Sequence, residues 1–143
     1  MTLTVLYTAH ATSTGGRNGR TRSDDGLVDV QLSVPKALGG PGRAGATTSK
    51  DLFAAGYAAC FGSACELMGT QLKLKPSSVE IKAAVGIGTK KGGGFGLKVD
   101  LIATLAGLSQ ADAEKVVAAG HSVCPYSNAV RGNVEVGISV RTA

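Results

Sequence analysis

Cysteines are the residues in this chain of 143 that are best able to do chemistry. Cys60 and Cys65 lie five positions apart, and Cys124 lies far along the chain, directly before Pro125. Three widely spaced cysteines argue against a structural disulfide framework and leave catalysis, metal binding or inert packing. Each sulfur is therefore a candidate nucleophile, metal ligand or core side chain.

Cys60 lies near the middle of a predicted apolar helix, where nothing in its own segment would activate it. The positive end of a helix acts only within the first turn, and Cys60 is about three turns beyond a Ser49 cap. A thiol in apolar surroundings has a raised pKa and commonly packs as a small hydrophobe. Cys65 lies about 140° further around the helix, so we interpret it as packing.

A reactive Cys60 would need a charged donor from elsewhere in the fold. Lowering a thiol pKa from about 8.5 to about 6 takes roughly 3.4 kcal/mol of preference for the thiolate. Charge-assisted hydrogen bonds contribute about 1.5 to 3 kcal/mol each, so one or two of them are sufficient. Arginine is the suitable donor, because it stays charged when buried.

The helix that carries Cys60 is apolar on every side. Between Leu52 and Leu72 the only charged residue is Glu66, so this helix must be buried all round. Glycines and polar residues interrupt the run, which favours a core helix over a membrane span of about 20 predominantly apolar residues. One small domain covers only part of such a helix. We therefore predict a twofold homodimer whose interface packs it.

Alternation of apolar and polar residues predicts five strands, each buried on one face. They span residues 3–9, 28–34, 79–87, 97–105 and 134–140. The turn at Lys90–Gly94 joins the third and fourth as a hairpin. A second helix runs from Ser109 to about Val123, with Ser109 and Asp112 as a capping box. This order predicts one α+β domain over residues 1–143 with a largely antiparallel sheet.

Charge and composition disfavour several other classes of protein. The net charge is +5, but lysines and arginines are dispersed and are not interleaved with aromatic residues, which disfavours nucleic-acid binding. The first residues lack the basic segment and apolar run of a secretory signal. We therefore expect a cytoplasmic protein whose cysteines are reduced at rest.

Two histidines raise the alternative of a zinc site. Cys60, Cys124, His121 and His10 offer enough ligand atoms, but none of the short paired spacings typical of zinc. We therefore expect no bound metal. His121 lies one turn before Cys124, and we interpret it as a helix-surface residue, with tuning of Cys124 as the alternative.

Four segments closely resemble the organic hydroperoxide resistance proteins, the Ohr branch of the Ohr/OsmC superfamily. They are Leu-Tyr-Thr-Ala at 6–9, Gly-Gly-Arg-Asn-Gly at 15–19, Leu-Phe-Ala-Ala-Gly-Tyr-Ala-Ala-Cys-Phe at 52–61, and the run from Val123 to Asn133. The resemblance covers nearly the whole chain in order. Its most specific part is Cys-Pro-Tyr-Ser-Asn at 124–128, which separates this branch from the OsmC branch.

The resemblance implies an OsmC-like fold, an intertwined homodimer and active sites where the subunits meet. It assigns Cys60 as the attacking thiolate, Cys124 as the resolving cysteine and Arg17 as the cation beside Cys60. It implies reduction of organic hydroperoxides to alcohols and recycling by a dithiol, dihydrolipoamide or a lipoylated protein, with no bound cofactor. The neighbouring aromatic residues Phe53, Tyr57 and Phe61 would suit an alkyl or fatty acid hydroperoxide, and core packing is their alternative role.

One position departs from the family pattern. Lys50 stands where the family usually has a glutamate that braces the arginine. Asp51, Asp24, Asp25 or a carboxylate of the partner chain could replace that brace, or Lys50 could itself lower the thiol pKa. A carrier that binds an apolar ligand without turnover is the alternative function.

Overall fold

Across residues 2–143, the computed structural model contains six strands and three α-helices. The elements are β1 (Ala11–Thr14), β2 (Arg20–Ser23), β3 (Asp29–Gln31), α1 (Ser49–Gln71), β4 (Ser78–Thr89), β5 (Phe95–Ala106), α2 (Gln110–Val123), α3 (Pro125–Val130) and β6 (Glu135–Thr142). The chain divides into two compact units, 1–52 and 53–143, which we describe separately.

The N-terminal unit contains an antiparallel sheet in the order β1, β2, β3. The predicted strand at 3–9 is wrong for the single chain, since the first strand begins at Ala11 and residues 2–10 are exposed. A strand needs partners for its backbone groups, but residues 2–9 lie in no described strand pair, and the His10 carbonyl accepts a single hydrogen bond from the Asp24 N–H (2.9 Å). The predicted strand at 28–34 is shortened to β3, after which Leu32 forms an isolated bridge to Thr47.

The C-terminal unit contains the predicted hairpin. β4 and β5 pair along their whole length, with Val79 opposite Leu105 and Ile87 opposite Leu97. β6 lies parallel to β5 on its other side. Four alternate residues of β5 are buried in the core: Val99, Leu101, Ala103 and Leu105. Period-two alternation thus placed the correct face of this sheet inward.

Helix α1 begins with a reciprocal cap. The Thr48 hydroxyl accepts a hydrogen bond from the Asp51 N–H (3.0 Å), and the Asp51 carboxylate accepts one from the Thr48 N–H (3.2 Å). This is a capping box one residue earlier than the predicted cap, and Ser49 is the first helical residue.

Helix α1 buries one face only. Its buried residues form a stripe of Tyr57, Phe61, Ala64, Cys65 and Gly69, whereas Ala55, Ala59, Ser63, Glu66, Leu67 and Thr70 are exposed. The predicted burial on every side is therefore wrong for the single chain, because its core reaches only one face. Within residues 2–143, α1 is also the one helix long and apolar enough to cross a membrane by length and composition. Its buried stripe belongs to the hydrophobic core of the C-terminal unit.

Helix α2 forms as predicted, and a third helix follows it. Ser109 caps α2 by accepting a hydrogen bond from the Asp112 N–H (3.1 Å). Cys124 then takes an extended conformation (φ −62°, ψ 122°), because the following Pro125 disfavours the helical region. Pro125 is itself the first residue of α3, a position that suits proline.

Candidate active site

Cys60 and Cys124 lie side by side although 64 residues separate them in sequence, and their Sγ atoms are 3.6 Å apart. Cys60 lies on α1, and Cys124 occupies the break between α2 and α3. Both are free thiols. A disulfide needs about 2.05 Å between the sulfurs, so a small approach would join them.

The two cysteines differ in exposure to solvent. Cys60 is partly buried, whereas Cys124 is fully buried. A reagent from solvent therefore reaches Cys60 first. This asymmetry suits an attacking thiol at Cys60 and a protected second thiol at Cys124.

The immediate surroundings of Cys60 favour its neutral form. Burial raises the pKa of the Cys60 thiol, and the adjacent Cys124 sulfur adds to the increase, whereas the Tyr126 backbone N–H opposes it. Burial and the nearby Cys124 also raise the pKa of Cys65, to about 12. Cys65 is fully buried against Gly120, where an added Cβ would lie 2.9 Å from the sulfur, so its prediction as packing is confirmed.

Arg17 lies in a tight turn of the N-terminal unit, the 3-10 helix Gly16–Asn18. Gly15 and Gly16 have φ angles of 80° and 61°, a region that favours glycine. The Asn18 side-chain carbonyl accepts from the Val34 N–H (2.8 Å). The Arg43 guanidinium donates to the Asn18 and Leu32 carbonyls. These contacts hold the turn, and the role of Arg17 toward Cys60 stays a prediction.

The candidate brace residues already have partners at the start of α1 and in the β2–β3 turn. One carboxylate oxygen of Asp51 accepts from the hydroxyls of Thr47 (3.1 Å) and Thr48 (2.8 Å). The Thr48 hydroxyl is the main cause that lowers the pKa of Asp51, so this carboxylate is ionised at neutral pH.

Lys50 and Asp25 are likewise engaged locally. The Lys50 ammonium donates to the Ser49 hydroxyl (3.2 Å). The Asp25 carboxylate accepts from the Ser23 hydroxyl (2.5 Å) and the Leu27 N–H (3.0 Å), and the Ser23 hydrogen bond chiefly lowers the pKa of Asp25. Bracing of Arg17 by any of these side chains stays a prediction.

The three predicted pocket residues form an aromatic ladder along α1. Ring centroids are 6.3 Å apart between Phe53 and Tyr57, and again between Tyr57 and Phe61, with edge-to-face geometry. Tyr57 and Phe61 are fully buried, whereas Phe53 is partly exposed. The Tyr126 ring lies against Gly56, where an added Cβ would be 3.3 Å away. Pocket lining stays a prediction, and for Tyr57 and Phe61 core packing is the observed role.

A hydrogen-bonded chain of three side chains lies near the two sulfurs and was not predicted from the sequence. The Tyr57 hydroxyl lies 2.6 Å from the Ser127 Oγ, which lies 2.8 Å from the His121 Nδ1. Burial, and secondly Arg131, lower the pKa of His121, so the imidazole is neutral at neutral pH. The interpretation of His121 as a plain helix-surface residue is therefore wrong, because its ring turns inward to a buried hydroxyl.

Metal binding has no ligand cluster to support it. Within residues 2–143, no three His, Cys, Asp or Glu side chains come together in a way that could hold a metal ion.

The chain is similar in sequence to one family of known proteins. The family model for OsmC-like proteins matches residues 40–139. The organic hydroperoxide resistance protein of Xanthomonas axonopodis pv. citri (strain 306) is 50% identical over 137 residues, which cover 95% of each chain.

Two crystal structures have the same fold as this chain. One is an organic hydroperoxide resistance protein from Elizabethkingia anophelis, with a TM-score of 0.92, 44% identity and coverage of 99% of this chain and 100% of that one. The other is the organic hydroperoxide resistance protein OsmC from Legionella pneumophila, with a TM-score of 0.90, 46% identity and coverage of 96% and 99%. The predicted α+β, OsmC-like fold is confirmed.

Proposed function

The chain belongs to the OsmC-like family and, within it, to the organic hydroperoxide resistance proteins, and on this basis we propose that it is a cysteine-based peroxidase of organic hydroperoxides. The observation that carries the proposal is the 3.6 Å separation of the Cys60 and Cys124 sulfurs. Two thiols at that distance, one accessible and one buried, can exchange two electrons with a peroxide.

The first step is attack by the Cys60 thiolate on a peroxide oxygen. A sulfur–oxygen bond forms, the oxygen–oxygen bond breaks, and the leaving alkoxide takes a proton to become an alcohol. Cys60 becomes a sulfenic acid, and the peroxide is reduced by two electrons. Arg17 is the proposed cation that holds the thiolate and the developing charge. It would have to outweigh the burial that raises the pKa of Cys60.

The second step joins the two cysteines. The Cys124 sulfur attacks the Cys60 sulfur, and the hydroxyl of the sulfenic acid leaves with the thiol proton as water. The resulting disulfide prevents further oxidation of Cys60 to the sulfinic acid.

The third step is reduction by a dithiol, for which we propose dihydrolipoamide or a lipoylated protein in the cytoplasm. One dithiol sulfur attacks the disulfide, and the second completes the exchange, which returns two protonated thiols to the enzyme. Because Cys124 is fully buried and Cys60 is not, the attack falls on Cys60 and Cys124 leaves. No bound cofactor is required.

A homodimer would cover the apolar surface that the single chain leaves open. Leu3, Leu6 and Tyr7 are 78%, 94% and 82% exposed, and one face of α1 is uncovered. We propose that a second copy of the chain covers both, since the exposed apolar segment at 3–7 and the apolar face of α1 would otherwise remain in contact with water. The mass in solution checks this, and a monomer at micromolar concentration would contradict it.

Turnover separates the enzyme from the carrier. With excess dihydrolipoamide, the protein should consume many equivalents of tert-butyl hydroperoxide, and it should prefer this substrate to hydrogen peroxide because Phe53 and Tyr126 offer partly exposed apolar surface. The residual hydroperoxide is measured against time. A carrier would leave the hydroperoxide unconsumed, and that result would overturn the proposal.

Lys50→Glu should raise kcat/KM for the hydroperoxide by roughly tenfold, because a carboxylate would restore a charge-assisted partner for Arg17. One oxygen of Asp51 already serves as the cap of α1, so it is a poor replacement. The matched control is Lys50→Gln, which removes the positive charge without adding a brace and should not accelerate the reaction. A slower reaction in both variants would show instead that Lys50 itself lowers the thiol pKa.

A further inference from the structure

Three side chains form a continuous hydrogen-bonded chain beside the sulfur pair, and we call it the hydroxyl clamp: Tyr57, Ser127 and the partly exposed His121. Tyr57 and Ser127 are both fully buried. The Tyr57 and Ser127 oxygens are 2.6 Å apart, and the His121 Nδ1 is 2.8 Å from the Ser127 oxygen. The clamp therefore links α1, α3 and α2 through one hydroxyl.

The clamp has the same sequence spacing to each cysteine. Tyr57 precedes Cys60 by three residues, His121 precedes Cys124 by three, and Ser127 follows Cys124 by three. Residues three apart on a helix share a face, so Tyr57 points to the side of α1 that carries Cys60. The clamp therefore fixes α1 and α2 close to the reacting atoms.

Cys124 needs such support because it lies between helices. Its backbone is extended, so it belongs to the regular interior of neither α2 nor α3. Arg131 ties the two helices together by donating to the His121 carbonyl (2.5 Å) and to the Asn128 side chain. Neither bond reaches α1, whereas the bond from Ser127 to Tyr57 does.

Packing alone does not explain why the side chains of the clamp are polar. Apolar side chains could fill the same space at no risk of an unpaired buried group. A hydrogen bond adds a fixed direction and distance, which a contact between methyl groups lacks. Small displacements of reacting groups, of about 1 Å, can cost roughly a hundredfold in rate.

We propose that the hydroxyl clamp is a positioning device that holds the Cys124 sulfur within reach of Cys60 and so sets the rate of disulfide formation. The inference rests on the proposed function, in which Cys124 attacks the Cys60 sulfenic acid and releases water. The competing reaction is attack of the sulfenic acid on a second hydroperoxide, which gives a sulfinic acid and an alcohol. The clamp decides the ratio of these two products and leaves the first oxidation of Cys60 unaffected.

Ser127→Ala tests the inference. Consumption of the first equivalent of hydroperoxide should proceed as in the parent, while disulfide formation should slow by roughly tenfold or more. Mass spectrometry should then find sulfinic acid at Cys60 at about tenfold lower hydroperoxide concentration than in the parent. Equal ratios of disulfide to sulfinic acid in variant and parent would overturn the inference.

Two further variants separate positioning from stability. Ser127→Ala leaves the Tyr57 hydroxyl and the His121 Nδ1 without their shared partner and should lower the melting temperature. The double variant with Tyr57→Phe also removes the buried Tyr57 hydroxyl and should regain part of the lost melting temperature, since only the partly exposed His121 ring then lacks its partner. The double variant should still form the disulfide slowly. Val116→Ala, at a fully buried site outside the clamp, should lower the melting temperature but leave the product ratio unchanged. If the double variant regained the parent's ratio of disulfide to sulfinic acid together with its melting temperature, the clamp would have only a structural role.

A readout without peroxide keeps this inference distinct from the proposed function. The disulfide can be equilibrated with reduced and oxidised glutathione, and Ser127→Ala should make it roughly tenfold easier to reduce, which is about 30 mV for a two-electron couple. An unchanged reduction potential of the disulfide in Ser127→Ala would contradict the positioning role of the clamp. Failure of the parent protein to form the disulfide with hydroperoxide, while this shift is observed, would instead overturn the proposed function alone.

Discussion

Cys60→Ser is expected to abolish hydroperoxide turnover, with a fall of at least about a thousandfold at neutral pH in excess dihydrolipoamide. A serine hydroxyl stays protonated at this pH and cannot accept the peroxide oxygen as a sulfenic acid. Cys60 is also the accessible member of the sulfur pair, so its loss removes the sulfur that solvent reaches first. The measurement is the initial rate of hydroperoxide loss, together with the mass of the protein after treatment.

The matched control for Cys60→Ser is Cys65→Ala. Cys65 lies on the same helix, is fully buried against Gly120 and has a pKa of about 12, so it takes no part in the proposed chemistry. This variant should keep the parent's turnover and lose only stability. Turnover that survived in Cys60→Ser, or disappeared in Cys65→Ala at a temperature where it is folded, would contradict the assignment of Cys60 as the nucleophile.

The sequence predicted the elements whose signals are local. The β4–β5 hairpin follows from period-two alternation on both sides of a glycine-rich turn, and the structure pairs the two strands along their whole length. Helix α2 follows from its capping box at Ser109. Both signals lie within a few residues of the feature they specify, which is why no knowledge of the rest of the fold was needed.

The juxtaposition of Cys60 and Cys124 has no local signal. The two residues are 64 positions apart, and neither spacing nor periodicity brings them together. Resemblance to a family supplied the pairing, and the structure places the two sulfurs side by side. The hydroxyl clamp was missed for the same reason, since Tyr57 and Ser127 are 70 positions apart and a lone serine or tyrosine marks no motif.

Two predictions were wrong for the single chain and share one physical cause. Residues 3–9 alternate like a strand, yet they lie in no strand of the single chain. Helix α1 is apolar on every side, yet the single chain covers only one of its faces. A hydrophobic pattern reflects every surface that the protein buries, including surfaces between chains. Both mismatches are what the proposed homodimer would explain, because a second copy offers an edge for the strand and a cover for the helix.

Cys124→Ser should convert the enzyme into a reagent that reacts once. The first equivalent of hydroperoxide should still be consumed, because the attacking Cys60 thiol remains, but turnover with dihydrolipoamide should fall by roughly a hundredfold or more. A serine oxygen cannot form the disulfide, so the sulfenic acid persists and excess hydroperoxide oxidises it to the sulfinic acid. Mass spectrometry of Cys60 after one and after ten equivalents of hydroperoxide follows both stages.

The same variant distinguishes two routes of recycling. Cys60 is the accessible sulfur, so an external dithiol could in principle reduce its sulfenic acid directly, with no help from Cys124. Turnover of Cys124→Ser at the parent's rate would establish that route and remove the resolving role of Cys124. The expected loss, with Cys60 recovered as a sulfinic acid, instead means that the buried sulfur 3.6 Å away reacts before solvent thiols or a second peroxide can.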